Sequence, residues 1–277
     1  MALEVKGLSK FYGGVHALRG VDFLVEPGEC VALIGPNGAG KSTTFACIAG
    51  QVSPDAGTVN WRGHALIGLN PSQRLAAGVA RTFQVAQVFD ALSVWHNLAL
   101  VLPESVRASS RLRWAPWRCL ADNVLDAPDA VVVGELLRQV GLAHRADAVA
   151  GSLAYGDRKR LELAIALAGI VGDPQTPCLL LLDEPAAGLA LAERAALMAT
   201  VRSLANGAQA LLGLGQVAVL YTEHNMDAVF GIADRVLVLI EGQIVAQGTA
   251  ADIAQNPQVR LRYLGRDALW MPGGQGA

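Results

Sequence analysis

The chain has 277 residues, of which 52% are hydrophobic and 17% are charged. This composition excludes disorder for most of the chain and allows a sizeable buried core. The 22 basic and 24 acidic residues give a net charge of −2, and aromatic residues make up only 5%. These values argue against a strongly basic nucleic-acid binder and against a stacking platform for single strands. We therefore expect a globular protein without a nucleic-acid partner.

The mean hydropathy of +0.36 is high for a soluble protein. The longest uncharged apolar stretches, such as Ala210–Tyr221, are shorter than the roughly 20 residues that a membrane-spanning helix needs. Met1–Lys10 contains Glu4 and lacks the apolar core of a signal peptide. The sequence therefore predicts a cytoplasmic chain with an apolar surface that contacts a partner.

The first part of the chain contains several β-rich runs, a glycine-rich loop and short helices. In chain order we expect a strand and loop over Val5–Gly20, a hairpin of Val21–Glu26 and Cys30–Ile34, a helix over Lys41–Ala49, and a strand over Thr58–Trp61. The hairpin is predicted from the turn dipeptide Pro27-Gly28. Asn70 is a typical helix N-cap, and Pro71 suits the first helical position.

The second part of the chain alternates helical and strand signals. Residues 85 to about 151 have helical periodicity interrupted by prolines, which predicts an inserted helical subdomain. The later predicted elements are a helix over Leu161–Ile170, a buried strand over Cys178–Leu182, a helix over Glu193–Leu204, a buried strand over Val217–Tyr221, a hairpin of Val236–Ile240 with Gln243–Ala246, and two short C-terminal helices. This alternation predicts an α/β core with a mostly parallel sheet.

The segment from Gly35 to Thr43 reads Gly-Pro-Asn-Gly-Ala-Gly-Lys-Ser-Thr and matches G-x-x-x-x-G-K-[ST] at every position. Glycines let the backbone N–H groups of such a loop surround a phosphate, and the following helix adds its positive dipole end. Lys41 is expected to reach the β- and γ-phosphates, and the Ser42 hydroxyl to bind Mg²⁺. The predicted nucleotide-binding residues here are Asn37, Gly38, Ala39, Gly40, Lys41, Ser42 and Thr43.

Two carboxylates, Asp183 and Glu184, follow the apolar run Leu179–Leu182. Asp183 is positioned to hold Mg²⁺ through water, and Glu184 to polarise the water that attacks the γ-phosphorus. Phosphoryl transfer needs mainly charge neutralisation and an in-line water, which these groups supply behind a phosphate loop. The pair therefore predicts nucleotide hydrolysis.

The segment Leu153-Ala154-Tyr155-Gly156-Asp157 precedes a long apolar helix candidate. With this segment the chain resembles the ATP-binding cassette (ABC) ATPases, and among them the importer subunits of the branched-chain amino acid type. The resemblance extends from about Leu3 to Gly265. It implies a P-loop ATPase core with an antiparallel β subdomain over residues 1–84 and 161–265, a helical subdomain over 85–160, and a flexible tail over 266–277.

The resemblance also implies roles for residues whose function cannot be predicted from motif spacing. Tyr12 would stack on adenine, Gln84 would join the metal or the attacking water, and His224 would contact the γ-phosphate. The signature segment would face the γ-phosphate held by another subunit, through Leu153, Ala154, Tyr155, Gly156 and Asp157. Two positions depart from the common family pattern, because Ala154 replaces a serine and Ala190 replaces a polar Asp or Asn.

The function implied is that of the ATP-hydrolysing subunit of an importer for branched-chain or other small amino acids. Such a subunit would use ATP and Mg²⁺ and lie peripherally on the cytoplasmic face of the inner membrane. Its partners would be transmembrane permease subunits, a second ATP-binding subunit in a homo- or heterodimer, and indirectly a solute-binding protein.

Several alternatives stay open at this point. The cargo could instead be urea, amides or other small organic solutes, and a soluble ABC-type ATPase outside transport is a second class. A P-loop kinase or GTPase has no support, since no Asn-Lys-x-Asp motif occurs. The Arg- and Trp-rich stretch 107–118 is either a patch near lipid headgroups or a solvated basic hairpin. No role is assigned to Asn206–Gln216.

Overall fold

The computed structural model describes residues 2–82, 88–103, 127–173, 175–207 and 215–264. Gln84, the stretch 107–118 and the predicted tail 266–277 lie outside these ranges. No helix of the described residues combines the length and the apolar character that crossing a membrane requires.

The strands of the described residues are β1 (Leu3–Tyr12), β2 (Val15–Val25), β3 (Cys30–Ile34), β4 (Ala56–Trp61), β5 (His64–Ala65), β6 (Val79–Arg81), β7 (Cys178–Asp183), β8 (Val217–Thr222), β9 (Arg235–Ile240) and β10 (Gln243–Gly248). The α-helices are α1 (Lys41–Ala49), α2 (Pro71–Ala76), α3 (Val94–Val101), α4 (Ala127–Gln139), α5 (Tyr155–Ala168), α6 (Leu191–Ala205), α7 (Met226–Ile232), α8 (Ala250–Gln255) and α9 (Pro257–Val259). Short 3₁₀ turns lie at Ala143–Arg145 and Ala150–Ser152, and π-helical turns at Arg260–Leu264.

The strands form two sheets. One is antiparallel, with the order β2-β1-β4-β5. The other has the order β10-β9-β3-β8-β7-β6 and is parallel except for β10, which pairs with β9 as an antiparallel hairpin. The predicted fold class is therefore confirmed: a mostly parallel α/β core joined to an antiparallel β unit.

The predicted hairpin of Val21–Glu26 and Cys30–Ile34 is wrong. The turn exists, since Glu29 N donates to Glu26 O at 3.0 Å, but it joins strands of different sheets. β2 alternates buried and exposed residues and pairs with β1, whereas every residue of β3 is buried and β3 lies between β8 and β9. A strand buried on both faces suits the middle of a parallel sheet, so the burial pattern outweighs the local turn signal.

The parallel sheet separates two apolar clusters. Along β7, Leu180 and Leu182 pack into the cluster that contains α5 and α6 residues, while Leu179 and Leu181 face the cluster of α1 and the antiparallel sheet. All four leucines are fully buried. Each such side chain contributes about 1.5–3 kcal/mol on removal from water, so this packing holds the carboxyl end of β7 in place between two layers.

The helix that follows the signature segment begins earlier than predicted. The apolar run predicted a helix over Leu161–Ile170, whereas α5 begins at Tyr155 and ends at Ala168. The first turns of the helix were not predicted because their residues are mostly polar and show no apolar periodicity. Two polar residues of this helix, Lys159 and Glu162, are nevertheless buried, where they form an ion pair of 3.2 Å. The helix runs through the predicted boundary between residues 160 and 161, and the division of the chain into subdomains stays a prediction.

Helix α1, which follows the phosphate loop, is fixed at its C-terminal end by a buried arginine of α2. The Asn70 cap and Pro71 begin α2 as predicted, with Asn70 Oδ1 accepting from Gln73 N at 2.9 Å. Arg74 then donates to the carbonyl oxygens of Cys47, Ile48 and Leu69, at 3.1 Å for Cys47 and 3.0 Å for Leu69. A cation at a helix C-terminus also stabilises the helix dipole.

We expect Arg74→Met to lower the free energy of unfolding by about 3 kcal/mol, because the buried Ile48 carbonyl oxygen loses its side-chain donor and those of Cys47 and Leu69 lose one hydrogen bond each. Chemical denaturation monitored by circular dichroism measures this loss. Arg145→Met, at an exposed position, is the matched control and should change the unfolding free energy by less than about 0.5 kcal/mol. Equal stability of the two variants would contradict the role given to Arg74.

Candidate nucleotide-binding site

The phosphate loop connects β3 to α1 at the carboxyl end of the parallel sheet. Gly35 has φ 152°, and a Cβ there would lie 2.0 Å from the carbonyl oxygen of Leu239. Gly40 has φ 107°, and a Cβ there would lie 2.5 Å from the carbonyl oxygen of Ala17. Both ends of the loop therefore require glycine, for its conformation and for its close contact with neighbouring backbone.

The loop opens on a cavity of about 500 Å³. The residues lining it are Val15, His16, Ala17, Arg19, Asn37, Gly38, Ala39, Gly40, Lys41, Ser42, Thr43, Glu184, His224 and Glu241. The structure thus brings together nine residues predicted from sequence: the seven of the loop, Glu184 and His224. Sequence reasoning missed Arg19, His16 and Glu241, because no sequence motif marks them. They line the cavity because β2 and the turn between β9 and β10 lie beside the phosphate loop in the folded chain.

Lys41 is the first residue of α1 and is 7% exposed. Its Nζ donates to the carbonyl oxygens of Gly35 at 2.6 Å and Pro36 at 3.1 Å. Burial lowers the pKa of this ammonium, while the charges of Glu184 and Asp183 act in the opposite direction. The ammonium therefore lies folded against the loop, close to the two carboxylates predicted to work with it.

Asp183 ends β7 and is 3% exposed. Its Oδ1 accepts from Thr222 Oγ1 at 2.8 Å, and its Oδ2 accepts from Arg81 Nη2 at 3.0 Å. Asp183 is not among the cavity-lining residues, but it directly precedes Glu184, which is. Sequence reasoning missed Arg81 as its partner because 102 positions separate the two residues.

Glu184 and His224 meet at the cavity. Glu184 has φ 49°, a left-handed conformation that costs energy in a non-glycine residue and often occurs at functional sites. Its backbone N donates to Thr222 Oγ1 at 3.0 Å, and its Oε1 lies 2.5 Å from His224 Nε2. The strained turn after β7 thus directs this carboxylate at the imidazole, which follows β8.

Glu223 lies next to His224 and is 4% exposed. Its Oε1 accepts from Ala186 N at 2.8 Å, which ties the segment before the histidine to the segment after Glu184. Burial raises the pKa of this carboxyl, with the nearby charge of Glu184 acting in the same direction. The residue carries no sequence signal of its own, and it was missed.

Because the pKa of Glu223 is higher in the folded chain, its protonated form is favoured there, and its contribution to stability is lost as pH rises above 4.5, the ordinary glutamate value. We expect Glu223→Gln to make the unfolding free energy fall less steeply over this range. Urea denaturation at a series of pH values measures the slope. The same slope in both proteins would contradict the assignment.

The donor set fits Mg²⁺ held together with a nucleotide. The described residues contain no group of three or more His, Cys, Asp or Glu side chains that could hold a metal ion. Mg²⁺ is usually bound by one or two protein oxygens together with phosphates and water. Ser42 and Asp183 offer such oxygens, at the start of α1 and the end of β7.

Tyr12 lies beside the cavity and does not line it. It ends β1, pairs with the cavity-lining Val15, and is 48% exposed. The Nζ of Lys10 lies 5.6 Å from the centroid of its ring. One face of the ring thus already contacts a cation, and stacking on adenine stays a prediction.

The signature segment lies away from this cavity: of the described residues that line it, none belongs to Leu153–Asp157. Ala154 is the N-cap of α5 and offers no side-chain hydrogen bond. Tyr155 Oη donates to Ala187 O at 3.3 Å. A Cβ on Gly156 would lie 2.8 Å from Glu193 Oε1. The segment thus packs against the chain that follows Glu184, and a side chain at position 156 would require the Glu193 carboxylate to shift.

The second departure, Ala190, is the N-cap of α6. Its side chain offers no hydrogen bond, but Glu193 Oε2 accepts from Ala190 N at 3.3 Å. Glu193 thus supplies one half of a capping box, and the half that a polar side chain at position 190 would supply is missing.

Comparison with known proteins decides the family. The ABC transporter profile matches residues 18–187, a range that holds the phosphate loop, the signature segment and both carboxylates. The chain belongs to the ABC transporter family. It is an ATP-binding subunit and an ATPase of that family, as predicted.

Two curated relatives match along nearly their whole length. The chain is 36% identical over 266 residues to the high-affinity branched-chain amino acid transport ATP-binding protein LivG of Escherichia coli (strain K12), covering 95% of this chain and 97% of that one. It is 35% identical over 267 residues to BraF of Pseudomonas aeruginosa, which has the same description, with the same coverage. The family resemblance predicted from the motifs is confirmed.

Among solved structures, the ADP conformation of MJ1267, an ATP-binding cassette of an ABC transporter, superposes with a TM-score of 0.77. The two chains are 28% identical, and the match covers 96% of this chain and 99% of the other. A nucleotide-free ATP-binding cassette from an ABC transporter superposes with a TM-score of 0.75 at 28% identity, covering 96% of this chain and 100% of the other.

Proposed function

We propose that this chain is the ATP-hydrolysing subunit of an importer for branched-chain or other small amino acids. The observation that carries the proposal is the 2.5 Å contact between Glu184 Oε1 and His224 Nε2, two residues that line the phosphate-loop cavity. The choice of amino acids as cargo is supported by the similarity to LivG and BraF, both described as branched-chain amino acid transport ATP-binding proteins.

ATP binds with its phosphates in the loop, where the backbone N–H groups and the N-terminus of α1 stabilise negative charge. Lys41 exchanges its contacts with Gly35 and Pro36 for phosphate oxygens. Ser42, Asp183 and Gln84 would hold Mg²⁺, which would neutralise charge on the phosphates.

Glu184 acts as the general base that takes a proton from the attacking water. His224 orients the same water and contacts the γ-phosphate. The strained turn of Glu184 and its bond to Thr222 fix the carboxylate before substrate arrives, which reduces the cost of orientation during reaction.

The signature segment serves the nucleotide of a second subunit. Leu153–Asp157 lies outside this chain's own cavity, so a head-to-tail dimer, of identical or similar chains, brings each signature segment to the partner's ATP. Gly156 and the backbone at the start of α5 face that γ-phosphate. The core (1–84 and 161–265) and the helical subdomain (85–160) would then move relative to each other as ATP binds and leaves.

The dimer works on the cytoplasmic face of the membrane with transmembrane permease subunits, which receive cargo from a solute-binding protein. Affinity capture of the tagged chain from detergent-solubilised membranes, followed by mass spectrometry, tests this. We expect two multi-span proteins and a second ATP-binding subunit. Recovery only from the soluble fraction, or with ribosomes or DNA, would contradict the transport assignment while leaving the ATPase standing.

A further inference from the structure

The Arg81 side chain connects three elements beside the nucleotide site. Arg81 ends β6, where it pairs with Leu181 of β7. Its Nη2 donates to Asp183 Oδ2 at 3.0 Å, and its Nη1 donates to Gln51 Oε1. Its Cζ lies 6.0 Å from the centroid of the Phe45 ring in α1. The guanidinium is thus held in one place by contacts from β7 and from α1 and the turn after it.

The ion pair of Arg81 with Asp183 is largely shielded from water. The Arg81 side chain is 12% exposed and the Asp183 side chain 4%. Charges in such surroundings interact more strongly than they do in water. The second carboxylate oxygen of Asp183 is also engaged, by Thr222 Oγ1 at 2.8 Å. Without nucleotide, the chain itself therefore satisfies both oxygens of this carboxylate.

A divalent cation approaching Asp183 competes with this guanidinium. Within the described ranges no group of three or more His, Cys, Asp or Glu side chains could hold a metal ion, so protein ligands alone give a cation little to replace its hydration. Mg²⁺ gives up water reluctantly. The phosphates of a nucleotide add the negative charge and the oxygen ligands that shift the balance toward the metal.

We propose that Arg81 is a positioning residue that occupies Asp183 in the nucleotide-free protein and excludes divalent cations until the nucleotide arrives. This inference rests on the proposed function, which makes Asp183 part of the Mg²⁺ site. Arg81 acts through Asp183 by compensating its charge and fixing its orientation. Metal and nucleotide therefore enter the site together.

Mn²⁺ binding to the nucleotide-free protein, followed by the electron paramagnetic resonance signal of free Mn²⁺, tests the inference. We expect Arg81→Gln to bind Mn²⁺ about tenfold more tightly than wild type, because the competing cation is removed. Arg81→Lys keeps the positive charge and should bind Mn²⁺ as weakly as wild type. Arg235→Gln is the matched control, since Arg235 also pairs with a carboxylate, Glu29, at 2.9 Å, and should leave Mn²⁺ affinity unchanged.

Unchanged or weaker Mn²⁺ binding by a folded Arg81→Gln would overturn the inference. If that variant does not fold, Gln51→Ala replaces it. This change removes the acceptor of Arg81 Nη1, so the guanidinium is held less firmly against Asp183. We expect about threefold tighter Mn²⁺ binding, and no increase overturns the inference. The Mn²⁺ affinity of Asp183→Asn with ADP present distinguishes a failure of the proposed metal role of Asp183 from a failure of the inference about Arg81. If the Asp183→Asn variant binds Mn²⁺·ADP like wild type, the metal role of Asp183 is wrong; a loss there, with no effect at Arg81, overturns only the inference.

Discussion

Lys41→Ala is expected to weaken ATP binding by about 100-fold or more, because each hydrogen bond from a charged donor contributes about 1.5–3 kcal/mol. The nearly buried Nζ lies at the loop and donates to Gly35 O and Pro36 O, so it can transfer to phosphate oxygens without moving far. Its burial lowers the pKa of the ammonium, and a phosphate anion would favour the charged form. Equilibrium titration with a fluorescent ATP analogue measures the affinity.

Two controls separate lost binding from lost folding. Lys6→Ala removes a lysine whose side chain is 65% exposed, on the antiparallel sheet, and should bind ATP like wild type. Thermal unfolding without nucleotide shows whether the Lys41→Ala protein is folded. A folded Lys41→Ala protein with wild-type affinity would contradict the assignment of the loop.

Glu184→Gln is expected to retain ATP binding and to lower the hydrolysis rate by about 100-fold or more, the range that general-base catalysis contributes. Glutamine has the same shape and keeps one oxygen toward His224, but it cannot take a proton from water. In the proposed dimer, hydrolysis by this variant would no longer cause opening, so ATP should trap a closed dimer. Phosphate release measures the rate, and size-exclusion chromatography with ATP measures the dimer.

The control for this variant is Glu26→Gln, at an exposed position after β2, which should hydrolyse ATP at the wild-type rate. Hydrolysis by Glu184→Gln at the wild-type rate would remove Glu184 as general base. Loss of both binding and hydrolysis would show instead that the carboxylate mainly supports the loop.

Local signals predicted the elements that hold the phosphate site. The helix over Lys41–Ala49 is confirmed and ends at the left-handed Gly50, and the Asn70 cap is confirmed as well. The fully apolar run before Asp183 forms β7, an internal strand of the sheet between β8 and β6. Each of these elements is signalled by neighbouring residues alone. The signals are a glycine that can adopt the left-handed conformation, an N-cap side chain that accepts from the backbone three residues on, and an uninterrupted apolar run typical of a strand buried on both faces.

Pairings across the chain could not be predicted in the same way. The turn at Pro27-Gly28 says nothing about which strand β3 joins, and its partners lie about 200 positions away. Arg81 and Glu223 are ordinary polar residues in the sequence, and only the arrangement of β6, β7 and β8 brings them to Asp183 and Ala186. These contacts come from folding as a whole.

Uptake of radiolabelled leucine by cells of the source organism lacking this chain tests the central claim most directly. Cells complemented with the wild-type chain should take up leucine, and cells with Glu184→Gln, present at equal level, should not. Uptake of labelled urea should be the same in all strains. Equal leucine uptake with and without the chain, while the purified protein still hydrolyses ATP, would contradict the claim that its hydrolysis drives amino acid import.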